Sequence, residues 1–161
     1  MSTNPLGAQL LTVIARLNRW ATREADLEVL PAQARLLAQL DELGPARIGD
    51  LARADHSSQP TMTGQVQRLE ACGLATRRQD PEDARASLVE LTEGGRAALE
   101  RVRAARSAVL APLIDRLDPA DRRALRTAIT SLGRLLEAAD RPERAADPTH
   151  HRQPARPSQE S

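Results

Sequence analysis

Polar side chains able to make specific contacts gather between residues 57 and 68 of the chain. Met62, Val66 and Leu69 recur there at helical spacing, so they predict a helix whose apolar face points inward. The opposite face would carry Gly64 and five polar side chains: Gln59, Thr61, Thr63, Gln65 and Arg68. Amide, hydroxyl and guanidinium groups can read base edges in a major groove, where glutamine pairs with adenine. An ordinary polar face turned to solvent fits the same residues.

Two serines precede this predicted helix. Ser57 and Ser58 lie where free backbone N–H groups favour an anion such as phosphate. One serine can also cap the helix, with Pro60 in its first turn. A short helix before them, a polar turn and this second helix together predict a helix-turn-helix.

A second group of cations lies in a predicted hairpin. Residues 74–78 and 87–91 can each form a strand, and turn-forming residues separate them. Asp83 lies two residues before Arg85, so its carboxylate can hold the guanidinium in a fixed pose. An arginine at the tip of such a hairpin, with Arg77 and Arg78 nearby, can enter a minor groove. An exposed ion pair of little energetic value is the alternative.

Helices must position both the polar residues between 57 and 68 and the cations of the predicted hairpin. Apolar spacing predicts helices over about residues 5–25, 31–43 and 46–54, and a fourth from about 58 to Gly73, which suits a left-handed helix end. After the hairpin, Thr92 should cap a long helix that Pro112 kinks. Asp118 should cap a last helix, whose expected buried stripe is Leu125, Ile129, Leu132 and Leu136. Residues 140–161 contain no Leu, Ile, Val or Met, which predicts a disordered tail.

Composition narrows the class of protein. The 161 residues suggest one compact domain, with a formal net charge of +1 and no lysine. Cys72 is the single cysteine, so an intrachain disulfide is excluded and a reducing compartment is expected. Without a signal peptide or a long apolar run, the chain is expected to be cytoplasmic and to have no membrane partner. It shows no phosphate loop, metal-ligand cluster or nucleophile–base pair, so no cofactor, metal or enzymatic activity is expected.

From Leu69 to Gly94 the chain reads LEACGLATRRQDPEDARASLVELTEG, which resembles the signature of the MarR family of bacterial transcriptional regulators. A weaker pattern, PAQARLLAQLDELGPARIGDLA, is similar to the preceding helices of that family. The resemblance implies a mainly α fold with a small β-hairpin wing, a winged helix-turn-helix over residues 1–139. Its DNA-binding region would be about residues 31–91, and its dimerisation helices about 5–28 and 92–138.

The resemblance also implies partners. Family members are homodimers that bind double-stranded DNA at near-palindromic operators, usually as repressors. Many release DNA when a small effector, often aromatic or anionic, binds. Arg85 would be the wing arginine and Asp83 its anchor. The DNA-binding candidates are Ser57, Ser58, Gln59, Thr61, Thr63, Gln65, Arg68, Arg78, Asp83 and Arg85.

Charge opposes this interpretation, since residues 47–95 hold six arginines against eight acids, a formal sum of −2. DNA binding therefore requires that most acids face away from the duplex. The rivals are a winged helix kept for protein contacts and a helical module that binds small molecules. Cys72 is interpreted as a half-buried packing residue rather than a redox switch, and Trp20 as a core or interface residue rather than a pocket residue.

Overall fold

The computed structural model describes residues 5–139, and the chain divides into two compact units, residues 1–116 and 117–161. The described part of the first unit holds five helices and a three-stranded sheet. The helices are α1 (Pro5–Glu24), α2 (Pro31–Leu43), α3 (Ile48–Ala54), α4 (Gln59–Ala71) and α5 (Glu93–Asp115). The strands are β1 (Ala46–Arg47), β2 (Ala75–Gln79) and β3 (Ser87–Leu91). In the second unit the described residues form α6 (Pro119–Ala139).

The predicted mainly helical fold with a hairpin wing is confirmed, and local capping explains its boundaries. The Ser58 side chain accepts a hydrogen bond from the Thr61 N–H at 3.3 Å, and Thr92 accepts one from the Gly95 N–H at 3.0 Å. Gly73 adopts a φ of 68° just after α4, the left-handed conformation expected at a helix end. Helix α5 runs without interruption through Pro112, and the kink stays a prediction.

One element differs from the prediction. Ala46 and Arg47 do not begin a helix; they form β1, which pairs antiparallel with β3 through Ala46↔Val89 and Arg47↔Leu88. The sheet order is therefore β1-β3-β2. A two-residue strand has no periodicity of its own, so only its pairing with a distant segment distinguishes it from the start of α3.

The core of the first unit lies between α4, the sheet and α2. Its largest fully buried side chains are Leu36, Leu37, Leu40, Leu51, Met62, Val66, Leu69 and Val89. Each such side chain contributes about 1.5–3 kcal/mol on burial. Met62, Val66 and Leu69 come from α4, and their burial determines which face of that helix is exposed to solvent.

The prediction of a buried stripe on the last helix is wrong for the single chain. Leu125, Ile129 and Leu136 of α6 are 38%, 62% and 66% exposed. In the second unit α6 is alone over the described residues, and one helix cannot bury its own apolar stripe. No helix in the described part of the chain is both long enough and apolar enough to cross a membrane. The predicted tail, residues 140–161, lies outside the described residues.

Close backbone contact joins the start of α5 to the start of the wing. The Thr92 N–H donates to the Leu74 carbonyl at 3.2 Å, and a Cβ added at Gly95 would overlap that same oxygen. Glycine is therefore required at position 95 by the approach of two backbones. Gly64, inside α4, is different, because a Cβ there would meet nothing within 4 Å.

We expect Gly95→Ala to lower the free energy of unfolding by about 1–3 kcal/mol, because the methyl group forces the two backbones apart. Gly64→Ala is the matched control and should raise it by about 0.5–1 kcal/mol, since alanine reduces the entropy lost in a helix. Urea unfolding at one fixed protein concentration measures both. Equal effects of the two substitutions would contradict the close approach at Gly95.

Candidate nucleic-acid interface

The turn between α3 and α4 has a defined conformation. His56 adopts a φ of 52°, which is uncommon for any residue but glycine. The Ser57 N–H donates to the Ala52 carbonyl at 2.9 Å. Asp55 accepts from Arg35 Nε at 2.8 Å, which ties the turn to α2. These contacts hold α4 at a set angle to α3.

Most of the predicted face of α4 is at the surface. Ser58, Gln59, Thr61 and Arg68 are exposed, and they extend from the N-cap through the last turn of the helix. The Ser58 and Thr61 hydroxyls contact each other at 2.8 Å. Thr63 is half-buried, and its hydroxyl donates to the Gln59 carbonyl at 2.8 Å.

Two predicted positions are less accessible than expected. Gln65 and Ser57 are half-buried rather than exposed. The Gln65 Oε1 and Ser57 Oγ atoms are buried without a hydrogen-bond partner among the described residues. Gln65 follows Met62 by three residues, so it lies at the flank of the buried stripe and its amide oxygen turns inward.

Asp83 acts on the wing in a different way from the one predicted. Its Oδ1 accepts a hydrogen bond from the backbone N–H of Arg85 at 3.1 Å, and its carbonyl accepts the Ala86 N–H at 2.8 Å. The spacing of two residues suits such a turn, in which the carboxylate holds the backbone. The guanidinium of Arg85 is therefore not held by Asp83. It has no hydrogen-bond or ion-pair partner within residues 5–139 and is exposed.

Asp80, which the sequence did not single out, joins the wing to β1. It is 6% exposed, the only buried charged residue in the described part of the chain. Its Oδ2 accepts from Arg47 Nε at 2.8 Å and Arg47 Nη2 at 2.5 Å, and its Oδ1 accepts from the Glu82 N–H at 2.9 Å. The Asp80 N–H donates to the Ala86 carbonyl at 3.0 Å. This one residue closes the wing turn that presents Arg85.

These contacts perturb both partners. The backbone N–H of Glu82, and then the Arg47 guanidinium, lower the pKa of Asp80 below its ordinary value. The hydrogen bond and charge of Asp80 raise the pKa of Arg47 in turn. The ionised pair is therefore the stable form in the folded chain.

Ion pairing divides the six arginines between residues 47 and 95 into two classes. Four have carboxylate partners, in the pairs Arg47–Asp80, Arg53–Asp50, Arg77–Glu70 and Arg78–Glu90. Among the described residues, Arg68 and Arg85 have none. Arg78, predicted as a DNA contact, is thus engaged by Glu90 at 3.0 Å. Four of the eight acids are matched to arginines within this segment and Asp55 is matched to Arg35 of α2, which leaves three acids without an arginine partner against the two unmatched arginines.

Cys72 and Trp20, the other residues considered from the sequence, take no part in the ion pairs of the wing and α4. Cys72 is exposed, so its interpretation as a half-buried packing residue is wrong; the Gln33 amide lies 3.9 Å from its sulfur. Trp20 is half-buried and lines an open groove on α1 with Val13 and Leu17. Within residues 5–139, no group of three His, Cys, Asp or Glu side chains could hold a metal ion.

We expect Asp80→Asn to destabilise the fold at neutral pH, with a difference from the natural chain that shrinks below about pH 4. Because the pKa of Asp80 is lowered by folding, its stabilising contribution is present above the unfolded value and is lost as the pH falls toward the folded one. Thermal unfolding from pH 7 to pH 3 measures this. Arg47→Gln removes the guanidinium but leaves the hydrogen bond from the Glu82 N–H, which is the larger cause of the lowered pKa of Asp80, so it should give an intermediate curve. A difference independent of pH would show that the charge of Asp80 is not responsible.

Comparisons with known proteins agree with this geometry. Residues 30–87 match the model of the MarR family. The chain is 43% identical over 65 residues to the uncharacterised HTH-type transcriptional regulator YxaD of Bacillus subtilis, which is 40% of this chain and 46% of YxaD. It is 37% identical over 75 residues to the HTH-type transcriptional repressor NicR of Pseudomonas putida, 47% of this chain and 48% of NicR. The chain thus spans about half the length of these two relatives.

Solved structures share the fold. The transcriptional regulator Tm0710 from Thermotoga maritima is 27% identical with a TM-score of 0.66, over 85% of this chain and 97% of that one. A variant of S. aureus MepR bound to an oligodeoxyribonucleotide has a TM-score of 0.58 at 19% identity, over 81% of this chain and 97% of its own. The helix-turn-helix, the wing and the matched segment agree with one another, and over residues 30–87 the chain is similar to the MarR family.

Proposed function

We propose that this protein is a sequence-specific, double-stranded-DNA-binding transcriptional regulator that acts as a homodimer and carries out no catalysis. The observation that supports this most strongly is that, of the six arginines between residues 47 and 95, only Arg68 and Arg85 lack a carboxylate partner among the described residues. Arg68 lies on the outer face of α4 and Arg85 at the tip of the wing, while their neighbours are paired. Relatives are named transcriptional regulators and, for NicR, a repressor, which favours repression here.

In the proposed complex, α4 enters the major groove with its N-terminal end, as recognition helices do. Gln59 and Thr61 are exposed in its first turn, where base edges would be reached. Ser58, at the N-cap, lies where a phosphate oxygen would meet the helix terminus. Thr63, Gln65 and Ser57 contribute less directly because they are half-buried.

The wing would place Arg85 in the adjacent minor groove, where a narrow groove has a strong negative potential. Asp83 and Asp80 hold the backbone that carries Arg85, so the guanidinium starts from a defined position but keeps its donors free. Arg78 would bind DNA only when Glu90 releases it.

Exposed apolar side chains support a second copy of this chain as a partner. On α1, Leu11, Ile14 and Leu17 are 69%, 43% and 46% exposed, and α6 has no buried residue. Helices with such stripes need a cover. We assign residues 5–28 and 92–138 to dimerisation and about 31–91 to DNA. Two recognition helices related by a two-fold axis fit a near-palindromic operator with half-sites about 34 Å apart.

Control by a small aromatic or anionic effector completes the proposal. A cavity between α5 and the segment joining α1 to α2 suits such a molecule, because Leu27, Val29, Ala98 and Val102 line it. Arg101 lies at the same cavity and is paired with Glu28 at 2.7 Å, so an anion would have to compete with that carboxylate.

We expect Arg85→Ala to weaken binding to the selected operator about ten- to a hundredfold, in the range of about 1–3 kcal/mol for one groove-reading arginine. The operator is first selected from a random duplex pool at near-physiological salt, and affinity is then measured by fluorescence anisotropy. Arg53→Ala, an exposed arginine of α3 already paired with Asp50, is the control and should change affinity little. Unchanged affinity for Arg85→Ala would eliminate the wing contact. A pool without any enriched sequence would favour a module that has lost DNA binding.

We expect Leu17→Glu to convert the dimer to monomers at micromolar concentration, because the charge would have to be buried in an apolar interface. Operator affinity should fall about a hundredfold or more, since the two half-sites are then bound independently. Sedimentation velocity measures the assembly. Thr12→Glu adds the same charge on the opposite side of α1 and should leave the dimer intact. A dimer that persists with Leu17→Glu would show that α1 is not in the interface.

A further inference from the structure

We propose that Glu90 is a specificity determinant, which holds Arg78 and thereby withholds one phosphate contact from non-operator DNA. The inference rests on the proposed DNA-binding function and concerns the same wing. It assigns to an acidic residue of β3 a role in limiting non-specific affinity.

The register of the wing brings the two side chains together. Thr76 lies opposite Glu90 and Arg78 opposite Leu88, so Arg78 and Glu90 share one face of the sheet on a diagonal. Arg78 Nε donates to Glu90 Oε2 at 3.0 Å. The two side chains are 44% and 30% exposed, so Arg78 would be free to reach a phosphate if Glu90 were neutral.

The same face of the sheet carries a second ion pair, Arg47–Asp80, which stabilises the wing turn. Arg47 also lies opposite Leu88, from β1, so the row across the three strands is Arg47, Leu88 and Arg78. Arg47 is held by Asp80, whose buried carboxylate also accepts a backbone N–H and closes the wing turn. The two pairs make the charge of this face formally zero. The nearest cation without a carboxylate partner in the described wing is then Arg85 at the tip.

Glu90 differs from Asp80 because its side chain makes only the hydrogen bond to Arg78 within the described residues. An ion pair this exposed adds little to folding stability. Its consequence is electrostatic: non-specific affinity depends on how many phosphates are neutralised, whereas operator affinity also depends on base contacts. Pairing of Arg78 with Glu90 therefore lowers non-specific affinity more than it lowers operator affinity.

The size of the effect follows from the strength of the pair. Neutralising Glu90 should raise affinity for non-operator DNA about two- to fivefold per protomer, the range that an exposed ion pair can supply. Each extra phosphate contact should steepen the slope of log affinity against log salt by about 0.9, so the expected change is about 0.9 for each protomer bound. Operator affinity should rise less, so the ratio of the two affinities falls.

The test is a double-mutant cycle on the full chain. The natural chain, Glu90→Gln, Arg78→Gln and the double variant are each titrated with a short duplex of arbitrary sequence and with the selected operator, at several salt concentrations. Glu82→Gln is the matched control. It removes an exposed acid of the wing turn that has no ion-pair partner in the described part of the chain, so it reports the general effect of lowering negative charge near DNA.

We expect Glu90→Gln to strengthen non-operator binding and steepen its salt dependence more than Glu82→Gln does, and to have no such effect when Arg78 is already glutamine. An equal gain with and without Arg78, or a gain no larger than that of Glu82→Gln, would overturn the inference while leaving the proposed function intact. A natural chain that binds neither duplex would overturn the proposed function, and the inference with it.

Discussion

Burial of one face of α4 is the constraint on which the rest of the structure depends. Met62, Val66 and Leu69 are each fully buried, and they bring α2, α3 and the sheet to the same core. One residue corresponds to about 100° of rotation on a helix, so no other face of α4 can be presented without exposing these side chains. The set of candidate base contacts is a consequence of packing, and the half-burial of Gln65 follows from the same geometry.

The wing depends on a second constraint, the satisfaction of a buried carboxylate. Asp80 is taken out of water and must be fully hydrogen-bonded, so its backbone and side-chain contacts close the turn and recruit Arg47 from β1. The strand β1 therefore supplies both an edge to the sheet and a cation to the turn. Both the stability of the wing and the position of the backbone that carries Arg85 therefore depend on Asp80.

The local pairing of charged side chains, rather than the net charge of the segment, determines which cations are available. Between residues 47 and 95 the acids outnumber the arginines, yet four of those arginines are matched to carboxylates, and the two without such a partner among the described residues lie on α4 and at the wing tip. A weak overall field with two available cations favours contacts that depend on exact placement over sequence-independent attraction. Exposed apolar stripes on α1 and α6 support the proposed second copy, which would double those contacts across an operator.

Local patterns in the sequence determined the helices, their caps at Ser58 and Thr92, the left-handed Gly73 and the hairpin, because each depends on residues within a turn or two of one another. The resemblance around Asp83 and Arg85 indicated the MarR family, whose model matches residues 30–87. Only the tertiary structure decided that β1 is a strand, that Asp80 binds Arg47 across 33 residues and that Glu90 engages Arg78. It also decided that Asp83 holds the backbone of Arg85 and leaves its guanidinium free. The physical reason is that pairing between charges depends on which side chains share a face after the strands align, and a one-residue change of register would exchange those faces.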